Sequence, residues 1–224
     1  VRKPGSFSQS MIEELLLNKI DNAIAMIKRV YQDHISFEYV LMDSWFLCDK
    51  IIKEVRSIGA HVIGMCKIGK ATYDYQGRNR TAKYIVDDLR KNKKTHWSRI
   101  LKLYGTETNV EYKGTKLLFC RNTKRGKWHL LISTNTGLSA IEMYEVYSVR
   151  WSIEVFFKEA KQHFGLGKSQ SRDFNALIAD TIISILPYNI FSLSKRFGAY
   201  ETSGELFREA KDSIIELTVC QRIW

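Results

Sequence analysis

Proline is scarce in this sequence, and it has neither a cysteine motif nor an apolar run long enough to cross a membrane. The 224 residues include two prolines, thirteen glycines and four cysteines. This composition excludes collagen-like and linker-rich chains, and hydrophobic residues at 45% with charged residues at 26% are ordinary for globular proteins. A chain of this length buries about 70% of the surface that its unfolded state exposes. We therefore expect one large globular domain or two small ones.

The cysteines and the N-terminal residues bear on the cellular compartment. The four cysteines are Cys48, Cys66, Cys120 and Cys220. Their wide spacing favours reduced, mostly buried thiols over a zinc site or a disulfide framework. No signal peptide opens the sequence, and the most apolar stretch, residues 181–193, is too short for a membrane span. We expect a cytoplasmic protein in which that stretch is a buried helix kinked at Pro187.

Positive charge is concentrated in one segment. The formal net charge is +11, and residues 67–128 contain seventeen Lys and Arg against five Asp and Glu, a net +12. A basic block of this kind attracts polyanions, with nucleic acid as the first candidate. The alternatives are a solvated basic surface that serves solubility and, with less support, an anionic membrane, because the segment shows no amphipathic helical stripe.

Hydrophobic periodicity predicts an α/β core at the N-terminal end. Residues 18–31 and 46–58 have helical spacing, whereas residues 37–42 and 61–66 are short apolar runs typical of buried strands. Strand, helix and strand with short joins predict a parallel pair. Between residues 73 and 133, glycine-containing turns separate short runs, which predicts antiparallel hairpins.

Further helices are predicted around and after these hairpins. Ser139 and Glu142 form a capping-box pattern, and the helix that starts there is expected to run to Phe164 and to end at Gly165. The predicted helices cover residues 84–90, 139–164, 175–196 and 204–217.

One of these helices places several polar side chains together. On a continuous helix, a stripe about 80° wide contains Tyr147, Arg150, Glu154, Lys158 and Lys161. The adjoining core face contains Val149, Ile153, Phe156, Phe157, Ala160 and Phe164. From spacing alone, a ladder of ion pairs worth about 0.2–0.5 kcal/mol each is the simpler explanation. An acid surrounded by cations and a phenol also suits a phosphodiester site, where the acid binds a divalent metal and the cations bind phosphate.

Asp43 follows the first predicted strand directly. Ligands bind at the carboxyl ends of strands in open α/β sheets, so Asp43 is a candidate partner for Glu154. The alternative is an N-cap of the next helix, a role for which Ser44 competes. The residues by themselves leave both roles open.

These residues resemble the motifs of a known enzyme family. Tyr147-x2-Arg150-x3-Glu154-x6-Lys161 resembles the Tyr–Arg–Glu–Lys motif of bacterial insertion-sequence transposases of the DDE type. The segment VLMDSWF is similar to the one that carries their second catalytic aspartate. The basic, β-rich segment is similar to the insertion between their second and third acids. The resemblance spans about residues 18–170.

The resemblance implies an RNase H-like fold, with an N-terminally incomplete core, and two-metal phosphoryl transfer. Asp43 and Glu154 would bind Mg²⁺ or Mn²⁺. Water, and then a DNA 3′-hydroxyl, would attack the phosphodiester at the insertion-sequence end and at the target. Such enzymes act as dimers that bridge two double-stranded DNA ends, so we expect DNA and possible self-association but no membrane.

The same resemblance assigns phosphate contacts. Tyr147, Arg150 and Lys161 would bind the phosphates beside the cut, and Lys158 joins them only through its place on the stripe. The cations expected to contact DNA from the insertion are Arg90, Lys91, Lys93 and Lys94.

The predicted layout has four parts: a partial core with the second acid (residues 1–66), the basic insertion (67–135), the catalytic helix (136–170) and a C-terminal helical region (171–224). The family's first acid lies on a strand, whereas Asp21 lies on a predicted helix. We therefore expect the first acid upstream of residue 1, and a 224-residue chain that binds DNA without cutting it.

Two other classes of function stay open at this point. One is a non-catalytic nucleic-acid-binding module that acts through its basic segment, and the other is a degenerate transposase remnant. Another RNase H-like nuclease or resolvase would use similar acids but would not need Tyr, Arg and Lys at these spacings. Binding that does not depend on metal would favour the module.

Overall fold

A computed structural model describes most of the chain. It covers residues 16–92, 96–99, 102–106, 110–112 and 114–197, together with residues 205, 208, 209, 211 and 212. The chain divides into two units, residues 1–150 and residues 151–224. The predicted helix over residues 204–217 falls mostly outside the described residues.

The first unit contains a β-sheet with helices on both faces. Its elements are α1 (Lys19–Gln32), β1 (Tyr39–Met42), α2 (Asp49–Ser57), β2 (His61–Cys66), β3 (Thr72–Tyr75), β4 (Arg78–Thr81), α3 (Ala82–Lys91), β5 (His96–Ser98), β6 (Leu103–Thr106), β7 (Glu111–Tyr112), β8 (Thr115–Arg121), β9 (His129–Ser133) and α4 (Ala140–Ser148). The second unit contains α5 (Trp151–His163) and α6 (Phe174–Phe197). The mixed α/β class predicted from the sequence is confirmed.

One mixed sheet organises the first unit. Its main path follows the order β1-β2-β9-β8-β7-β3-β4, and β6 also pairs with β8 and with β5. β1 and β2 are parallel, with Tyr39 opposite His61 and Met42 opposite Gly64. The other described pairs are antiparallel. The parallel pair and the hairpins are therefore as predicted, and β9 joins them by pairing with both β2 and β8.

β8 and β9 send alternate side chains to the two faces of this sheet, as the period of two requires. Leu117 and Phe119 pack with Ile85 of α3 on one face, whereas Leu118 packs with Met143 of α4 on the other. On the first face, α1 and α2 cover β1 and β2 through a further cluster that includes Val62. Helices thus bury both sides of the central strands.

The start of α4 follows its sequence signal. The Ser139 hydroxyl accepts a hydrogen bond from the Glu142 backbone N–H at 3.2 Å, and the Glu142 carboxylate accepts one from the Ser139 N–H at 2.8 Å. This reciprocal pair is the predicted capping box.

The end of α4 differs from the prediction. The helix expected over residues 139–164 is two helices, because α4 ends at Ser148 and α5 begins at Trp151. In between, Val149 N–H donates to the Val146 carbonyl and Arg150 N–H to the Tyr147 carbonyl, at 3.3 and 3.1 Å. These bonds span three residues instead of four, so the last turn tightens and the regular α-helical phase is lost.

In the second unit, α5 and α6 pack through aromatic rings. The centroid of Phe156 lies 4.8 Å from that of Tyr188, and the centroids of Phe164 and Phe191 are 5.2 Å apart. Gly165 follows α5 with a φ of +75°, in agreement with the predicted helix end.

The predicted burial of this region was partly wrong. Of the predicted core face, Ala160 is buried, but Val149 is 62%, Ile153 52% and Phe157 47% exposed. The stretch 181–193 belongs to α6, a longer helix than expected, and is not a buried segment. Its exposed apolar residues include Ile182, Ile183, Leu186, Ile190 and Leu193. Periodicity places side chains on a face but does not say what covers that face.

We predict that Phe119→Ala lowers the free energy of unfolding by about 3–5 kcal/mol, because it removes a fully buried ring from the central strand of the sheet. Urea denaturation of the two proteins measures the difference. Met26→Ala on α1 is the control, since Met26 is 55% exposed, and we expect a change within about 0.5 kcal/mol. Equal losses for both variants would contradict this assignment of the core.

Candidate active site

Asp43 lies at the carboxyl end of β1 and is half-buried. Its Oδ1 accepts a hydrogen bond from the Trp45 backbone N–H at 2.8 Å, and its carbonyl accepts one from the Phe46 N–H at 3.3 Å. The carboxylate therefore closes a turn. Helix α2 begins only at Asp49, after an N-cap position occupied by Cys48. The alternative in which Asp43 caps this helix is wrong, and the helix starts three residues later than predicted.

Tyr147 is buried by the packing of α4 on the sheet. The residue is 7% exposed and belongs to a cluster with Met143 and Leu131. Tyr39 and Leu41 of β1 pack against the same cluster. Helix α4 therefore lies over the strand whose end carries the candidate acid.

Asp43 and Arg150 act on the Tyr147 phenol in opposite directions. Burial raises the pKa of Tyr147, the positive charge of Arg150 lowers it, and the charge of Asp43 raises it again. The Arg150 Cζ lies 5.8 Å from the centroid of the Tyr147 ring. The first unit thus brings together three of the predicted site residues, an acid, a phenol and a guanidinium.

The other predicted site residues lie on α5 in the second unit. Glu154 is in the first turn of this helix, and Lys158 and Lys161 follow at spacings of four and three residues. Helical geometry places the three on one face, and all three are exposed. Because α4 ends at Ser148 and α5 begins at Trp151, the single continuous helix predicted to carry these three residues with Tyr147 and Arg150 was wrong.

Comparison with protein-family models matches residues 17–190, or 174 of the 224 residues, to the transposase DDE domain. The chain belongs to this family. The match begins before α1 and ends within α6, so it covers most of the first unit and extends into the second. No curated protein matched the chain.

Family membership establishes the general function. The protein is a transposase of the insertion-sequence DDE class, its substrate is DNA, and its mixed α/β architecture is consistent with the RNase H-like fold. Transposases of this family use divalent metal ions and are normally soluble and cytoplasmic. The expectation that no apolar run is long enough to cross a membrane was wrong by length and composition, because Phe174–Arg196 in α6 would suffice, although this is only weak support for a span.

The acid on β1 of this transposase suits a divalent ion by its chemistry. Mg²⁺ and Mn²⁺ prefer oxygen ligands, and the Asp43 carboxylate is an oxygen ligand held in place by the Trp45 N–H. Within the part of the chain that the structure describes, no group of three or more His, Cys, Asp or Glu side chains is placed to hold a metal. The full ligand set stays a prediction.

Two of the four cations predicted to contact DNA lie in the last turn of α3. Arg90 and Lys91 are both exposed there. Lys93 and Lys94 lie outside the described residues. The Thr81 hydroxyl caps the other end of this helix by accepting a hydrogen bond from the Tyr84 N–H at 3.3 Å.

The sequence analysis did not identify Trp45 as a candidate DNA contact. This side chain is 72% exposed, and Lys67 Nζ and Lys19 Nζ lie 4.5 and 5.9 Å from its ring centroid. Exposed aromatic rings among cations are typical of surfaces that bind nucleic acid. A tryptophan two residues after Asp43 was the available signal, but only the structure shows its exposure and its two lysine neighbours.

We predict that Asp43→Asn lowers the pKa of Tyr147 and that Arg150→Gln raises it, because the two charges act on the phenol with opposite signs. Ultraviolet difference titration of each variant against the same variant carrying Tyr147→Phe measures the midpoint. Asp33→Asn, at the C-cap of α1, is the control and should leave the midpoint unchanged.

The same titration has a consequence for stability. The folded-state pKa of Tyr147 lies above its ordinary value of 10.0. The contribution of the protonated phenol to the free energy of unfolding is therefore full below that pH and is lost as the pH rises through the folded-state pKa.

An Asp43→Asn midpoint equal to that of the unmodified protein would contradict the grouping of these residues.

Proposed function

We propose that this chain contributes metal ligands and phosphate contacts to the strand cleavage and strand transfer of an insertion-sequence transposase, a metal-dependent phosphoryl transfer to and from DNA. The observation that carries the proposal is the grouping of Asp43, Tyr147 and Arg150 at the carboxyl end of β1. Sheets of this class bind ligands at that edge. An acid, a buried phenol and a guanidinium together match what a phosphodiester and its metal ions require.

Asp43 and Glu154 are the proposed metal ligands, for Mg²⁺ or Mn²⁺. When bound, such ions neutralise charge on the phosphate and activate the attacking hydroxyl or water. The hydrogen bond from the Trp45 N–H holds the Asp43 carboxylate at the end of its strand before substrate arrives. A ligand that is already oriented loses less conformational entropy when it binds.

Tyr147 and Arg150 are the proposed contacts to the phosphates beside the cut. The ordinary pKa of tyrosine, about 10, already keeps the Tyr147 phenol protonated at neutral pH, and burial raises this pKa further, so the phenol can donate a hydrogen bond to a phosphate oxygen. The planar Arg150 guanidinium matches two oxygens of one phosphate at once. Lys158 and Lys161, exposed on α5, add point charges for neighbouring phosphates.

The basic segment is proposed to bind the DNA backbone away from the cut. Arg90 and Lys91 present their charges at the exposed end of α3, and Lys93 and Lys94 continue the run in the sequence. We also propose that two copies bridge the two ends of one element, since strand transfer joins both ends to the same target.

We predict that Asp43→Asn or Glu154→Gln in the intact protein lowers metal-dependent strand cleavage at least about 100-fold, because each variant removes a charged metal ligand. Affinity for the DNA should change little. Cleavage of end-containing duplex with Mg²⁺ or Mn²⁺ measures the first quantity, and a mobility-shift assay the second.

Matched controls keep this test specific. Asp33→Asn changes an acid at the end of α1, and Glu159→Gln changes the acid five residues after Glu154 on the same helix. We expect both to cleave at nearly the normal rate. Cleavage that persists in Asp43→Asn or Glu154→Gln would remove that acid from the site. DNA binding that needs no metal, without cleavage in any form of the protein, would favour the non-catalytic module.

We predict that changing Arg90, Lys91, Lys93 and Lys94 together to Ser flattens the salt dependence of DNA binding. The log–log slope should fall by about 0.9 for each phosphate contact that is lost. The binding constant for duplex DNA over a range of salt concentrations measures the slope. A control that changes Lys28, Arg29, Lys53 and Arg56 removes equal charge from α1 and α2 and should leave the slope nearly unchanged. Equal slopes for both variants would place the DNA path elsewhere.

A further inference from the structure

A buried arginine lies between two aromatic rings at the end of β8. Arg121 is only 6% exposed. Its Cζ lies 4.6 Å from the centroid of the Trp128 ring and 5.4 Å from that of Tyr104. Tyr104 is directly opposite Arg121 in the β6–β8 pair, and Trp128 precedes β9. The sheet therefore fixes the position of the guanidinium and of both rings.

Two donors in this group are buried without an acceptor. Arg121 Nε and Trp128 Nε1 have no hydrogen-bond partner among the residues that the structure describes. Leaving such a donor unsatisfied destabilises the folded protein, and more so when the group is charged. Native proteins pair most buried polar groups. Two unsatisfied donors in one contact therefore point to an acceptor that a ligand supplies.

The charge around Arg121 also favours a negative ligand. Burial lowers the pKa of Arg121, and the positive charge of Arg90 lowers it further, while Tyr104 acts in the other direction. No ion pair to Arg121 is found in the described part of the chain. Asp88, on the same helix as Arg90, accepts a hydrogen bond from the Tyr75 hydroxyl at 2.7 Å. The group thus combines two cations with an indole donor.

We propose that Arg121 and Trp128 form a binding site for a phosphate oxyanion. Guanidinium groups match phosphate oxygens geometrically, and the indole N–H adds a donor that a phosphate can accept. The flanking rings keep water away from Arg121, and the lower dielectric strengthens its attraction for an anion. Where the phosphate belongs to DNA, the inference rests on the proposed function. The site then binds the DNA backbone to the basic insertion, residues 67–135.

A purely structural role explains less of this geometry. Cation–π attraction of Arg121 to Trp128 and Tyr104 would account for the two ring contacts, since such contacts stabilise folded proteins. It does not account for the unused Nε and Nε1 donors. A phosphate satisfies both.

The first test follows the Trp128 indole N–H by nitrogen-15 NMR. The protein has five tryptophans, and Trp128→Phe assigns the signal by its loss. Inorganic phosphate and a short DNA duplex are titrated separately into the labelled protein, with chloride at equal ionic strength as the control anion. We expect the Trp128 signal to move with at least one of the two phosphate sources and not with chloride. The signal should not move in Arg121→Gln.

The second test measures DNA binding against salt. Arg121→Gln should lower the affinity about tenfold and reduce the log–log slope by about 0.9, the value of one lost phosphate contact. Arg121→Lys keeps the charge but not the Nε donor. It should therefore retain most of the log–log salt slope of DNA binding, whereas the Trp128 indole signal should no longer move with phosphate. Arg56→Gln removes the same charge from exposed α2 and is the matched control.

The outcomes distinguish DNA from free phosphate as the ligand, and they test this inference separately from the proposed function. A response to the duplex assigns the site to the DNA backbone, whereas a response to inorganic phosphate alone assigns it to a free phosphate. No response of Trp128 to either source in the unmodified protein overturns the proposal, even if Arg121→Gln does not fold. Normal DNA cleavage with no Trp128 response overturns only this inference. A Trp128 response without cleavage overturns only the proposed chemistry.

Discussion

The burial of β8 and β9 on both faces is the constraint on which the rest of the first unit depends. Residues such as Leu117 and Leu118 point to opposite sides, so each side needs its own helical cover. Helix α3 covers one face and α4 the other. Because β9 also pairs with β2, the same two strands tie the hairpins to the parallel pair. The same two strands, β8 and β9, therefore contribute to the core on both faces and connect the two parts of the sheet.

This constraint also produces the candidate active site. Burial of Met143 and Tyr147 fixes α4 on the sheet, beside Tyr39 and Leu41 of the strand that precedes Asp43. The burial that stabilises the fold therefore also orients the phenol and raises its pKa. On the other face, the sheet holds Arg121 between two rings where its charge has no acid to balance it among the described residues. Excess positive charge at fixed positions suits a protein whose substrate is a polyanion.

The features predictable from the sequence are those with local causes. The capping box of Ser139 and Glu142 depends on residues three apart, and the parallel pair follows from short joins and apolar runs. Asp43 stands out for a similar reason, since it directly follows a strand. The break after Ser148 was not predictable, because periodicity continues through it in the sequence. The tightened turn is visible only in the structure, where the Arg150 N–H donates to the Tyr147 carbonyl, three residues back.

The sequence by itself determined the α/β class, the basic segment and the residue types from which a phosphoryl-transfer site can be built. Charge and periodicity suffice for these, since they depend on composition and near neighbours. Only the tertiary structure decided that Tyr147 is buried near Asp43, that Trp45 is exposed between lysines, and that Arg121 is enclosed by Tyr104 and Trp128. Each of these contacts joins residues from different strands, helices or loops. Solvation and electrostatic field at a side chain depend on such neighbours, so they are set when the chain folds.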